Sequence, residues 1–410
     1  MKIVIANKFY HPQGGADTHV LALRDLLLSG GHEVIPFAMD DPKNEKTPWS
    51  KYFVSAIDFG KKDRSLSEQW SIVKRTIYSR EAKKKFGALL DTAKPDIVHI
   101  HNIYHQISPS ILDAARERGV PVIGTIHDYN LICPNYKLFA RGYIESDCKG
   151  GRYYREALYK TVQDSYPASI LAATEHYFHD WSGIYRKGVR HWIAPSRFVK
   201  KKFTEYGMPS ESMSVLYHFL SDTNTKPTYK PGAAYVYAGR LSEEKGIGGL
   251  LEAIALVPKA ELSIVGDGPL RNELQRQVEK LDIGSRVSFK GHVDGDTLKE
   301  IIRTARAVIV PSVWYEIFGL AATEGWALGK AVIASRIGAL EELGDRVSPE
   351  LLFPPGDTKS LAKLLQKGLS DPGSLEAAGR KGREFTEQNC DSGIYIESLV
   401  QLYTKVIAKK

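Results

Sequence analysis

The sequence predicts an α/β protein of two doubly wound domains that face each other across a cleft. Three observations carry this. Short β-branched apolar runs alternate with segments of helical periodicity, as expected of parallel strands buried on both faces. The alternation occurs twice, on either side of the Pro-, Thr- and Lys-rich stretch SDTNTKPTYKPGAA at residues 221–234. A chain of 410 residues, 43% hydrophobic and 25% charged, is long enough for two complete cores.

In chain order the first-half runs are KIVIAN, EVIPFAM, DIVHIHN, PVIGTIHD and HWIAPS; the second half continues with AYVYAGRL, ELSIVGDG, RVSFKGHV, AVIVPS and AVIAS. These place a first domain at 1–220, a linker at 221–234 and a second domain at 235–380. The tail, 381–410, contains SGIYIESLVQLYTKVIAK, whose apolar spacing is helical, and is expected to cross back to the first domain. Ligands of such sheets bind beyond the C-terminal strand ends, so the facing strand ends define the expected site. Two segments break the rhythm: residues 40–95, and the aromatic loop YNLICPNYKLFARGYIESDCKGGRYY after Asp128. Long loops at strand ends carry recognition elements or lids.

Composition narrows the class. The start MKIVIANKFYHPQGG lacks the pattern of a signal or transit peptide, and no apolar run approaches the roughly 18 residues needed to span a bilayer, so a cytoplasmic protein is expected. Cys133, Cys148 and Cys390 are odd in number and form no CxxC, which suits a reducing compartment better than a disulfide framework. A net charge of +8 is too mild to imply a nucleic-acid partner.

The most informative stretch is EIFGLAATE, where Glu316 and Glu324 flank Gly319 in apolar surroundings. A helix beginning near Gly319 leaves the amides of Phe318, Gly319, Leu320 and Ala321 facing outward as an anion site. A carboxylate accepts from two adjacent hydroxyls, so two of them beside an anion site suit a sugar, a phosphate and a ribose in one molecule, a nucleotide sugar. The plainer alternative is that Glu316 caps the helix and Glu324 pairs with an arginine. In GRLSEEKG, Arg240 and Lys245 follow the first strand of the second domain; alone they read better as solvated cations, but beside EIFGLAATE they read as the charges that would neutralise a departing diphosphate. Gly14 and Gly15 in HPQGGADTHV permit close backbone approach to a phosphate or sugar at a helix N-terminus, or form a simple tight turn. His127 and Asp128 end a buried strand at the cleft, with a satisfied core histidine as the alternative. His101 reads as a support for His127, and His99 as structural. VGDGPLRNEL has Gly266 and Gly268 but Arg271 where a dinucleotide fingerprint needs a third glycine, which disfavours an NAD-dependent dehydrogenase. Asp294 and Asp296 in DGD read as a turn and helix cap before a metal pair.

Together these motifs resemble glycosyltransferase family 4, retaining transferases of GT-B fold. AGRLSEEKG, VGDGP, GHV and PSVWYEIFGLAATEGWALGKAVIAS match in order, the last with the family's E-x7-E spacing, and the GG loop, DIVHIHN, TIHD and IAPSRFVKKKF match in the first half. The resemblance implies that Arg240 and Lys245 hold the diphosphate, Glu324 the ribose and Glu316 the sugar hydroxyls. It also implies that Gly15 and the amides at Phe318, Gly319 and Leu320 bind phosphate and sugar, that the backbone at Gly266 and Val293 frames the base, and that His127 faces the transferred sugar. It further implies a nucleotide-diphosphate sugar donor; because Arg240, Lys245 and two helix N-termini already supply positive potential to the diphosphate, no metal cofactor is expected, and the acceptor is expected to be a glycan or lipid-linked. In the loop holding Cys148, Glu145 and Ser146 stand where relatives carry another cysteine, which argues against a metal there. A nucleotide-sugar 2-epimerase and a non-catalytic nucleotide-sugar-binding protein are the competing readings of the same motifs.

The charge map bears on the acceptor. Residues 61–85 hold nine Lys/Arg against three Asp/Glu, and residues 186–202 hold seven Lys/Arg and no acid. Leu66, Trp70, Val73 and Ile77 recur at helical spacing, so a basic amphipathic helix over 66–90 is expected, either packed on its own domain or resting on an anionic membrane surface.

Overall fold

The computed structural model describes residues 1–57, 65–145, 147–220 and 225–408, so the start of the linker and Ser146 lie outside the described residues. The first six-stranded sheet has the order β2-β1-β3-β4-β7-β8: β1 (Lys2–Ala6), β2 (Glu33–Phe37), β3 (Ile97–Ile100), β4 (Val122–Thr125), β7 (His191–Ala194) and β8 (Met213–Val215). A short antiparallel hairpin, β5 (Phe139–Ala140) and β6 (Tyr143–Ile144), stands apart within the aromatic loop. The second six-stranded sheet runs β11-β10-β9-β12-β13-β14: β9 (Tyr235–Ala238), β10 (Leu262–Val265), β11 (Val287–Gly291), β12 (Val308–Val310), β13 (Val332–Ser335) and β14 (Leu352–Phe353). Both sheets are parallel throughout. β8 and β14, which the sequence rhythm did not predict, are edge strands of three and two residues, too short for a periodic signal.

In each sheet the winding direction reverses beside the first strand, between β1 and β3 and between β9 and β12. Loops leaving these strands part there and open a crevice.

Both faces of the first sheet are covered. Val4, Ile35, Val98 and Ile100 pack with Phe86 and Leu89 on one side, and Ile3, Ile5, Ile97 and Ile123 pack with Leu23 and Leu27 on the other. That second face is completed by Tyr395, Leu399, Tyr403 and Val406 of the C-terminal helix Ser392–Ala408. His99 pins this helix from inside the sheet: Nδ1 is 2.7 Å from the Tyr403 hydroxyl and Nε2 is 2.7 Å from Thr125 Oγ1. The helix Pro372–Asn389 passes through residue 380 unbroken and packs on the second domain, with Phe385 5.8 Å from Trp326 between ring centroids.

Two expectations are corrected. The basic segment forms two helices, Leu66–Ile77 and Arg80–Ala93, where one was expected over 66–90. Ser79 breaks the run by capping the second helix, its Oγ accepting from the Ala82 amide at 3.1 Å. Two of the lysines there are engaged internally, Lys83 with Glu117 and Lys85 with the Phe53 carbonyl and Glu81. The basic residues at 61, 62 and 64 lie outside the described residues.

Cys133 and Cys148, expected as thiols, are joined in a disulfide with Cα atoms 5.9 Å apart, while Cys390 is free and buried. The β5–β6 hairpin folds the aromatic loop back on itself, an approach that chain spacing does not reveal. Glu156 lies against this bridge, 3.3 Å from Cys133 Sγ, and burial pushes its carboxyl up to about 7. The two sulfurs and the Glu156 carboxylate lie within 4.8 Å of one another, but sulfurs bonded together offer no thiolate to a metal. Among the described residues, no helix is long and apolar enough to cross a membrane. Closing a loop of separation 15 contributes about 3 kcal/mol in the chain-entropy treatment. Reduction with dithiothreitol is therefore expected to lower the denaturant midpoint of the first domain, and identical midpoints for oxidised and reduced protein would contradict it.

Candidate active site

The loops leaving β9 and β12 are laced together. The Val313 amide donates to the Glu244 carbonyl at 2.9 Å, and Gly246, at φ +67, passes so close to Pro311 that a Cβ there would sit 2.1 Å from its carbonyl oxygen. This brings Lys245 to Glu316. Lys245 Nζ and Ser312 Oγ both donate to Glu316 Oε1 at 2.6 Å. Burial alone would raise the Glu316 carboxyl, but the neighbouring ammonium and the two donated hydrogen bonds bring it below the ordinary value. The Trp314 indole acts on the carboxylate in the same direction, with Lys245 Nζ 5.2 Å from its ring centroid. Arg240, five residues before Lys245, is exposed, and its guanidinium has no partner among the described residues.

Glu316 leads directly into the helix Leu320–Ala327, whose N-cap Gly319 adopts φ +94. Helix geometry leaves the amides of Leu320 and Ala321 without intrahelical acceptors. Glu324 lies one turn inside, partly accessible, and its carboxylate has no hydrogen-bond partner among the described residues; burial pushes it up to about 7. Among the described residues neither of the plainer alternatives holds: the helix N-cap at Gly319 receives no side-chain hydrogen bond, and no arginine meets Glu324.

The first domain supplies the opposite wall. Gly14 is the N-cap of the helix Gly15–Ser29, and a Cβ on Gly15 would lie 3.7 Å from Leu320 Cδ1 of the other domain. Two helix N-termini thus meet across the cleft. His127, just beyond β4, has Nε2 2.8 Å from His101 Nδ1, and its ring stacks on His218 at 5.4 Å. His19 stands beside both, 5.7 Å from His127 and 4.0 Å from His218 between ring centroids. Burial first, and mutual repulsion second, lower His19, His101 and His218 well below the ordinary range; burial and Lys8 bring His127 to about 3. These four imidazoles are therefore held in the neutral form. Asp128 accepts from the Tyr104 hydroxyl at 2.6 Å and the Asn130 amide at 2.9 Å.

Contacts between the domains hold the walls in place. The Tyr129 hydroxyl donates to the Tyr315 carbonyl at 3.1 Å, Ser196 Oγ to the Ile317 carbonyl at 3.0 Å, and Lys137 Nζ lies 3.1 Å from Glu244. Glu342 accepts from the Arg197 and Phe198 amides at 3.0 and 2.6 Å, capping a first-domain helix with a second-domain carboxylate.

Of the residues singled out in the sequence, Gly15, His127, Lys245, Glu316, Gly319, Leu320 and Glu324 line these two walls, and Arg240 is at the rim. Gly266, at φ +124, stands at the end of β10, where a Cβ would be 2.0 Å from the Gly239 carbonyl oxygen, and its amide donates to Gly291 at 2.8 Å. Val293 is half-buried just beyond β11. Asp294 is a helix N-cap accepting from the Asp296 and Thr297 amides at 3.1 and 2.9 Å. Sequence reasoning missed Ser312, His19 and His218. His19 was within reach, being one helical turn after Gly15; His218 lies in an irregular segment with no local signal.

Comparison with known proteins matches residues 13–223 to the family model "Glycosyltransferase Family 4" and residues 222–385 to "Glycosyl transferases group 1". The chain belongs to glycosyltransferase family 4. It is similar, at 24% identity over 86% of this chain and 90% of the other, to an uncharacterized 42.6 kDa protein in the cps region of Klebsiella pneumoniae. Among solved structures it resembles sucrose-phosphate synthase from Thermosynechococcus elongatus, at TM-score 0.73 and 20% identity over the whole of both chains. It also resembles HepE of Anabaena in complex with UDP-glucose, at TM-score 0.68 and 18% identity over 99% of this chain and 100% of that one. The fold is GT-B, and the protein is a glycosyltransferase.

In this family 4 enzyme, Glu316→Gln or Lys245→Ala is expected to lower turnover roughly 100-fold or more, since each removes charge complementarity from the reacting centre. Without Lys245 the buried Glu316 carboxyl rises, so residual turnover of Lys245→Ala should increase with pH over the range in which wild type is flat. Activity within a few-fold of wild type, or parallel pH profiles, would remove the pair from the chemistry.

Proposed function

We propose that the enzyme is a retaining hexosyltransferase that moves a sugar from a nucleotide-diphosphate sugar to a glycan, lipid-linked, in envelope polysaccharide synthesis. The observation that carries this is the meeting of the Gly15 and Leu320 helix N-termini beside Arg240 and the Lys245–Glu316 pair. The relative in the cps region and the UDP-glucose complex of HepE support the same reading. The bond between the anomeric carbon and the phosphate oxygen breaks, and its electron pair leaves with the nucleoside diphosphate. Arg240, Lys245 and the two sets of helix amides take up that charge. The acceptor hydroxyl attacks the face from which the diphosphate departs, and its proton passes to the leaving phosphate oxygen. Neutral His127 faces the transferred sugar without opposing positive charge at the anomeric carbon, and Glu316 Oε2 accepts from a sugar hydroxyl. Glu324 receives the ribose hydroxyls.

A thermal-shift panel of nucleotide sugars, UDP-glucose first, followed by mass spectrometry of the stabilising donor with candidate acceptors, tests the reading. A donor that isomerises without an acceptor would replace it with an epimerase.

Two outcomes follow. Ribose hydroxyls donate to ionised Glu324, so donor binding expels any proton that group holds and weakens as pH falls below about 7. Calorimetric donor titration at pH 6 and pH 8 should show this for wild type and not for Glu324→Gln; equal affinity at both would refute the ribose role. Because protein cations and helix amides already face the diphosphate, turnover should be unchanged in EDTA. Loss in chelator, restored by Mg²⁺ or Mn²⁺, would reject the metal-independent scheme.

A further inference from the structure

The helix Tyr166–Ser182 has two unlike faces. Its inner face reaches the acceptor-side wall: Glu175 Oε2 lies 2.9 Å from His105 Nδ1, His176 Nε2 lies 2.5 Å from the Asn130 carbonyl, and His179 Nε2 lies 2.8 Å from the Ile77 carbonyl. Asn130 is two residues from Asp128, so this helix backs the loop that carries the cleft residues. Its outer face is bare. Tyr166, Ile170, Tyr177 and Trp181 are 52, 54, 43 and 84% exposed. At 3.6 residues per turn they fall within an arc of about 60°. Leu158 and Tyr159, on the adjoining segment, are exposed beside them, and Trp70 is 65% exposed on the helix that His179 touches.

The chemistry of this face selects its partner. Tyr and Trp are the residues that settle at the headgroup level of a bilayer. Cations accompany them: Lys160 Nζ lies 4.5 Å from the Tyr166 ring centroid, and Arg152, Arg186 and Lys187 are exposed on the flanking segments. Of the helix's two acids, Glu175 is buried on the inner face, and Asp180, which is exposed, accepts from the Tyr153 hydroxyl at 2.6 Å. We propose that this aromatic, cation-flanked face docks on an anionic bilayer and so sets the cleft beside a lipid-linked acceptor. It deepens the acceptor reading above and rests on it.

The test uses the whole protein and vesicles of phosphatidylcholine with or without phosphatidylglycerol. Sedimentation should show binding that rises with phosphatidylglycerol and falls with salt. The variant Tyr166→Ser/Ile170→Ser/Trp181→Ser should weaken binding about tenfold or more while keeping the thermal shift produced by the nucleotide donor, which certifies its fold. Brominated phosphatidylcholine should quench wild-type tryptophan fluorescence, and Trp181→Phe should remove most of that quenching. Wild type left in the supernatant with anionic vesicles at low salt overturns the proposal, as does a triple variant that binds like wild type. So does a dimer that the triple variant dissociates, which would make a second copy the occupant. Vesicle binding with transfer only to a soluble acceptor upholds the surface and rejects the lipid-linked acceptor; transfer to a lipid-linked acceptor without vesicle binding does the reverse.

Discussion

A carboxylate buried without partners costs several kcal/mol, and Glu316 avoids that cost because Lys245 and Ser312 reach it. Those donors come from loops leaving β9 and β12, neighbours in the sheet at the point where its winding reverses. The pairing therefore locks two otherwise independent loops into one wall. Gly338, at φ +60, approaches the same residue so closely that a Cβ would lie 3.1 Å from the Glu316 nitrogen, and the Ala339 amide donates to the Glu316 carbonyl at 3.2 Å. With side chain and backbone both held, the residues that follow have one course. They lead into Gly319 and aim the Leu320–Ala327 helix at the first domain.

The same segment bonds the two domains. Tyr315 and Ile317, on either side of Glu316, accept from Tyr129 and Ser196 of the first domain. Glu342, from the helix that begins at Gly338, caps the first-domain helix Arg197–Glu205. The distance between Gly15 and Leu320 is thus linked to the placement of one buried carboxylate.

Charge is divided unequally between the walls. The second domain presents Arg240, Lys245 and the amides at Leu320, whereas the first sets beside its own helix N-terminus at Gly15 a group of imidazoles kept neutral by burial and by one another. This separation suits a reaction in which negative charge collects on one fragment and positive charge passes through the other, because a cationic first-domain wall would oppose the second.

Much of this was legible in the chain. Continuous apolar runs ending in Gly, His or charged loops mark parallel strands buried on both faces, and that pattern determined the two sheets, the strand ends that matter and most residues of the cleft, since these lie within a few positions of a strand end or helix start. What tertiary structure alone decided is partnership. Lys245 and Glu316 are 71 positions apart, His127 and His218 are 91 apart, and Cys133 meets Cys148 only because a two-stranded hairpin turns between them. Local periodicity reports which face of an element is apolar, but a contact between loops depends on which strands become neighbours, and strand order belongs to the folded sheet. For the same reason the expected basic helix over 66–90 failed where Ser79 found a helix to cap, and the exposed aromatic face of Tyr166–Ser182 emerged only once its opposite face had packed.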